Sequence, residues 1–216
     1  MGAMGVHRTA ASALLIGMDG PFNLTLDGVT QSHAAAFVAA KTAHALDFHG
    51  ARGAVLFFDP GSTHPEVPLD HARLVGAVTA ALTPGDLEGW SALLRVASLS
   101  PRPAHIEPRL AAVARRLTEI PDEPLSAVEL AACAGLSVSR LEHLFTAHYG
   151  VPMRAFRTWH RFRSAAKQLL NGCSVTDAAH SAGFHDAAHF SNTFRDTFGL
   201  PPSHVFTPGL QGRCVD

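Results

Sequence analysis

The chain has 216 residues, 47% of them hydrophobic, with 17 Lys plus Arg against 18 Asp plus Glu for a net charge of −1. That composition leaves room for two compact domains with buried cores and excludes a disordered polypeptide; the balanced charge also excludes nucleic-acid recognition through a general basic excess, so any such function must rest on local clustering. Cys133, Cys173 and Cys214 are too few and too far apart for a disulfide framework or a Cys-x-x-Cys metal site, and the longest apolar run near the start, Ala13 to Ile16, is too short for a signal-peptide core or a membrane span. A reducing cytoplasm is the expected setting.

Met1-Gly2-Ala3-Met4 reads as an expression remnant and is set aside. From Ala11 to Asp59 the pattern is that of strands. Phe22, Leu24 and Leu26 alternate with Asn23, Thr25 and Asp27, Asp27-Gly28 marks a turn, and a further strand starts near Thr30. Ala34 to Val38, Ala43 to Phe48 and Ala54 to Phe58 continue the series until Asp59-Pro60-Gly61 ends it. Short strands at this spacing predict a small antiparallel barrel or sandwich whose edges need cover from helices or a second subunit. Two helical faces follow. Leu74, Val75, Val78, Ala81 and Leu82 share one, and after Thr83-Pro84-Gly85-Asp86, Leu87, Trp90, Leu93, Leu94 and Ala97 share the next.

Ser100-Pro101-Arg102-Pro103 breaks regularity, so the expected division is a β-rich domain over 1–100, a linker over 101–107 and an all-α domain over 108–216. Pro108 to Ile120 leads the second domain as a helix with Leu110, Val113, Ala114 and Leu117 inward. Cys133 is expected to be a small core residue among alanines.

Within 125–206 one pattern is written twice. Ser126-x-x-Glu129 and Ser174-x-x-Asp177 are helix-start signals; Ala134-Gly135-Leu136 and Ala182-Gly183-Phe184 are tight turns; Leu141, Leu144, Phe145 and His148, then Phe190, Phe194 and Phe198, mark the buried faces of a following helix. Each copy reads as a helix-turn-helix, whose second helix lies in the DNA major groove. Between the copies, Pro152 to Asn171 has no breaker. As a helix it spans about 30 Å, close to one turn of B-DNA at about 34 Å. It carries Arg154, Arg157, Arg161, Arg163 and Lys167 with no acidic residue, which suits phosphate contacts; a solvated helix face is the plainer alternative.

The Ala-Gly-Leu-Ser turn, Gly150-x-Pro152, Arg161-Phe162, Leu169-Leu170, and Ala-Gly-Phe with His189-Phe-Ser, Phe194 and Phe198-Gly-Leu-Pro-Pro resemble the AraC/XylS family of bacterial transcription regulators. The resemblance covers roughly the last hundred residues. It implies two helix-turn-helix subdomains joined by a long helix, binding double-stranded DNA as activator or repressor under a sensor domain. The departures are His143 and Asn192, where the family commonly has basic residues, and Val205-Phe206 in place of an aromatic-arginine ending.

On that basis Ser139, Glu142 and His143 of the first recognition helix, and Ala187, Ala188, Ser191 and Asn192 of the second, are the expected base readers. Glu142 can accept from a cytosine amino group, Asn192 can pair with adenine, and the alanines offer only apolar contact. Arg140, Arg154, Arg157, Arg161 and Arg195 are the expected backbone contacts. By position the first domain looks like a reduced cupin-like sensor. His33, His44, His49 and His64 are then candidate effector or metal ligands, with polar positions lining a barrel or turn as the alternative. No cofactor is otherwise expected. Leu74, Val78, Trp90 and Leu94 are the family-like dimer contact, or simply pack on the barrel.

The function expected from the sequence is therefore a cytoplasmic, effector-responsive regulator, homodimeric and meeting RNA polymerase, with no membrane partner. The alternative is a metal- or small-molecule-binding cupin-like protein with weak or lost DNA binding. No Ser-His-Asp set, Gly-rich phosphate loop or paired catalytic carboxylate points to an enzyme.

Overall fold

The computed structural model describes residues 3–61, 70–81, 107–119 and 125–206. Seven strands form two antiparallel sheets. β1 (Met4–His7), β6 (His44–Asp47), β3 (Phe22–Leu26) and β4 (Val29–His33) pair in that order, and β5 (Ala35–Val38), β2 (Ser12–Gly17) and β7 (Gly53–Phe58) make the second sheet.

β2 is buried on both faces, which is why its sequence, Ser-Ala-Leu-Leu-Ile-Gly, is apolar almost throughout rather than alternating. Ala13 and Leu15 face the other sheet and join Phe22, Leu24, Leu46 and Phe48. Leu14 and Ile16 face outward beneath helix α1 (His71–Ala81) and pack with Leu74 and Val78. The β half is thus three layers, sheet on sheet on helix.

The space between the sheets is filled by the chain itself: the Phe22 and Phe48 rings lie 4.9 Å apart, and a Cβ on Gly53 would fall 2.2 Å from the Phe48 ring. The β3–β4 hairpin turns at Asp27 (φ 49°) and Gly28 (φ 78°), the left-handed pair that a two-residue hairpin needs.

The structure corrects three expectations for the β half. Met4 is part of the fold: it pairs with Leu46 and is only 7% exposed, anchoring β1 in the intersheet core. Leu74 and Val78 are buried against the chain's own sheet, so this face of α1 is not a dimer contact; Trp90 and Leu94 lie outside the described residues. The histidines do not converge. His33 pairs with Phe22 at one end of β3, His44 pairs with Leu26 at the other, about 13 Å away along a strand, and His49 sits beyond β6 in a turn beside Asp47. His64 lies outside the described residues, among which no three potential ligands gather for a metal.

His44 is instead buried against His7, ring centroids 4.2 Å apart, with each Nδ1 donating to a backbone carbonyl, Gly5 for His7 at 2.8 Å and Thr42 for His44 at 2.9 Å. Burial holds both imidazoles below their ordinary value of 6.5, and for His7 the neighbouring His44 lowers it further. The unfolded chain therefore binds more protons than the folded one just below pH 6.5. Stability is fullest above that pH and falls as the pH drops toward the lowered folded-state values. Thermal unfolding from about pH 7.5 to about pH 5.5 is expected to show a declining midpoint that flattens in His44→Gln. An identical decline in that variant would place the effect elsewhere.

The helical half follows the repeat. Helix α2 (Pro108–Glu119), α3 (Ala127–Ala134) and α4 (Val138–Tyr149) close over Leu110, Leu117, Leu130, Leu141, Phe145 and Tyr149. Helix α5 (Met153–Leu170) contributes Phe156 to that core. Two turns on it contributes Phe162 to a second core, shared with Phe184, Phe190 and Phe194 of α6 (Val175–Ser181), α7 (Ala187–Phe198) and the turn between them. A short α8 (Pro202–Val205) ends the described chain. One helix is thus built into both cores and joins the two units. Cys133 proves exposed and receives Arg116 Nη1 at 3.2 Å, so it is not a core residue.

The β half touches both units. Ala10 and Ala40 pack on the first helical core, and Leu200 packs on both the second helical core and the intersheet core. Gly199, at φ 75°, lies so close to β1 that a Cβ there would stand 2.7 Å from the Gly5 carbonyl and from His7 Nδ1. Phe57 of β7 meets Trp159 and Phe198, centroids 5.4 and 5.5 Å away. Asp59, just past β7, accepts from Trp159 Nε1 and from Arg163 Nη1, each at 2.7 Å.

Candidate nucleic-acid interface

Each candidate reading helix is held by the same local devices. In the first unit Ser126 caps α3 by accepting from the Glu129 amide while the Glu129 carboxylate accepts from the Ser126 amide, a complete capping box. Hydrogen bonds from the Ser126 amide and hydroxyl hold the Glu129 carboxyl below its ordinary range. In the second unit Ser174 accepts from the Asp177 amide, but the shorter Asp177 carboxylate takes the Ser174 hydroxyl rather than its amide. The turns match closely: the Leu136 amide donates to the Ala131 carbonyl past Gly135 (φ 62°), and the Phe184 amide to the Ala179 carbonyl past Gly183 (φ 77°).

α4 starts on Ser137, which accepts from the Arg140 amide. With Leu141, Phe145 and Tyr149 buried, Ser139, Arg140, Glu142 and His143 all lie exposed or half-exposed, as the periodicity predicts. α7 starts on Asp186, which accepts from the His189 amide at 2.7 Å and pairs with His185 Nδ1 at 2.8 Å. These contacts, the His189 amide first, hold the Asp186 carboxyl below its ordinary range.

Ala188, Asn192 and Arg195 are exposed on α7, whereas Ala187 and Ser191 are half-buried. Asn192 Oδ1 accepts from Arg195 Nη2 at 3.1 Å, so these two present one joined polar group. The sequence expectation takes them as separate groups, although their three-residue spacing is the available signal.

The cations of α5 divide. Arg154, Arg157 and Arg161 recur at three and four residues and so share one side, Arg154 exposed and the other two half-buried. Arg163, two residues after Arg161, points roughly 200° around the helix, where it meets Asp59. It does not belong to a common phosphate-facing row. Nothing in the sequence singles out Asp59 or Trp159, whose contact joins segments a hundred residues apart.

Two exposed helix faces with polar side chains early in each helix, on units joined by a helix with three arginines along one side, define a tandem helix-turn-helix architecture. Residues 130–207 match a family model described as a helix-turn-helix domain. The transcriptional activator NphR of a Rhodococcus species is 39% identical over 82 residues, 38% of this chain and 24% of that protein. The regulator GlxA of Rhizobium meliloti is 32% identical over 99 residues, 45% of this chain and 31% of that protein. The matched part is thus less than a third of either relative's length. ToxT of Vibrio cholerae has a similar fold, with a TM-score of 0.62 at 9% identity, the match covering 95% of each chain. The helix-turn-helix family model thus falls on the helical half of this chain, from α3 to α8.

Proposed function

We propose that the chain is a sequence-specific DNA-binding transcription regulator. The repeated unit carries the reading: two capped recognition helices, α4 and α7, on a shared connector helix with Arg154, Arg157 and Arg161 along one side. Ser139, Glu142 and His143 read bases from α4; Ser191 and Asn192, with apolar contact from Ala187 and Ala188, do so from α7. Arg140, Arg154, Arg157, Arg161 and Arg195 hold phosphates.

A small-molecule effector acting through the β half belongs to the same reading. It is supported by the ToxT fold, since ToxT has been solved bound to an unsaturated fatty acid. The filled space between the sheets directs the search for such a site in this chain away from their interior. A cytoplasmic homodimer that contacts RNA polymerase completes the proposal. No helix among the described residues is long and apolar enough to cross a membrane.

Selection of bound sequences from a random duplex pool tests the core of this reading. A common two-part sequence is expected, with binding that weakens as salt rises; recovery of no common sequence would overturn it. The proposed boundary at 101–107 is tested by limited proteolysis. Early cutting there, leaving a stable fragment that starts near residue 108, is the expected result. First cuts within 125–206 would count against a separate helical domain.

A further inference from the structure

The contact between Asp59 and the connector helix lies away from the arginine row and is not used in reading DNA, yet it is built from strong parts. One carboxylate accepts both the Trp159 indole N–H and the Arg163 guanidinium at 2.7 Å. The Arg163 and Asp59 side chains are only 23% and 34% exposed, and Phe57 lies against Trp159 and Phe198 beside them. Charge-assisted bonds with restricted access to water hold geometry better than surface ion pairs.

Trp159 and Arg163 lie one helical turn apart on α5, flanking Phe162, the residue through which α5 enters the second helical core. Phe198 is the last residue of α7, and Gly199 after it is pressed against β1. The β half also rests on the first unit through Ala10 and Ala40. The same β half therefore contacts both units, and Asp59 ties it to the connector through two polar bonds.

We propose that Asp59 is a positioning residue for DNA binding: through Trp159 and Arg163 it locks the β half across the two helix-turn-helix units and so fixes the spacing and rotation of α7 relative to α4. This rests on the DNA-binding reading above. Releasing the lock leaves each recognition helix folded on its own core and the arginine row in place. What disappears is the fixed relation between the two readers.

The test uses the full-length protein and the duplex recovered with it from the random pool. Inserting one base pair between the two parts turns one against the other by about 36° and moves it about 3.4 Å. The wild-type chain is expected to lose about fivefold or more in affinity on insertion, and Asp59→Ala less than about twofold, with similar salt dependence. Asp59→Asn, which keeps an acceptor for Trp159 but drops the charge facing Arg163, should fall between them. If Asp59→Ala does not fold, Trp159→Phe combined with Arg163→Met removes both donors while keeping an aromatic ring against Phe57.

A spacing penalty in the unlocked variant equal to that of the wild type overturns the proposal. Amide hydrogen exchange without DNA provides a second arm. Faster exchange in the variant is expected at β1 and at 199–200, where the β half meets the end of α7, and change confined to β7 and Trp159 overturns the lock. If the wild-type chain recovers no common sequence, the DNA-binding reading fails and the exchange arm alone decides the lock.

Discussion

Replacing Phe162 by alanine is expected to cost about 3–5 kcal/mol and to unfold the second helix-turn-helix unit ahead of the first. Phe162 is 4% exposed, and its ring lies 5.2 Å from Phe184, 6.0 Å from Phe190, 5.6 Å from Phe194 and 5.2 Å from Phe198. No other side chain of α5 meets so many of these rings. The remaining small side chains of that core, Ala165, Ala178, Ala179 and Ala182, have no reach with which to fill the void. The first unit keeps its own core around Phe145, Tyr149 and Phe156, so denaturant unfolding should change from one transition to two. A single transition with an unchanged midpoint would show that the aromatic cluster does not support the unit.

The second large effect concerns the division of labour between the recognition helices. Ser139, Arg140, Glu142 and His143 give α4 four polar side chains off its buried face, whereas α7 offers the joined Asn192–Arg195 pair, a half-buried Ser191 and two alanines. Base discrimination should therefore concentrate under α4, where each good polar contact is worth about 1–3 kcal/mol. Glu142→Ala with His143→Ala is expected to relax sequence preference in that half-site while leaving much of the salt-dependent affinity. Arg157→Ala with Arg161→Ala is expected to weaken binding to all sequences alike and to flatten the slope of log affinity against log salt by about 0.9 for each phosphate no longer neutralised. Sequence selection with each variant checks this. A stronger constraint under 187–198 would make Asn192 and Ser191 the principal readers.

The helical half is legible in the sequence because its determinants are local. Ser126 and Glu129 announce a cap, Gly135 and Gly183 a left-handed turn, and the spacing of Leu141, Phe145, Phe190 and Phe194 the buried faces; all of these take the places the sequence predicts. The connector, expected over Pro152 to Asn171, runs over Met153–Leu170. The β half is legible strand by strand from Phe22 onward but not in its pairing, because alternation tells which face a residue takes and not which strand lies beside it.

Met4–His7 escapes notice for a related reason. Only its two end residues are buried, a pattern too short to show a period. The histidine expectation fails on pairing too: β4 and β6 flank β3, but the register puts His33 and His44 at opposite ends of it. The attachment of Asp59 to Trp159 and Arg163 is a tertiary contact with no local trace in the sequence.

The repeat along one connector has a further consequence. Its two copies follow each other in one chain and carry different side chains on the faces proposed to read bases, Glu142 and His143 on one, Asn192 and Arg195 on the other. A pair of identical subunits about a two-fold axis reads a palindrome and cannot tell upstream from downstream. A single copy of this chain has a front and a back. Bound to its site, it would sit like an arrow on the duplex, so that reversing the site relative to a neighbouring gene reverses which flank of the protein faces that gene.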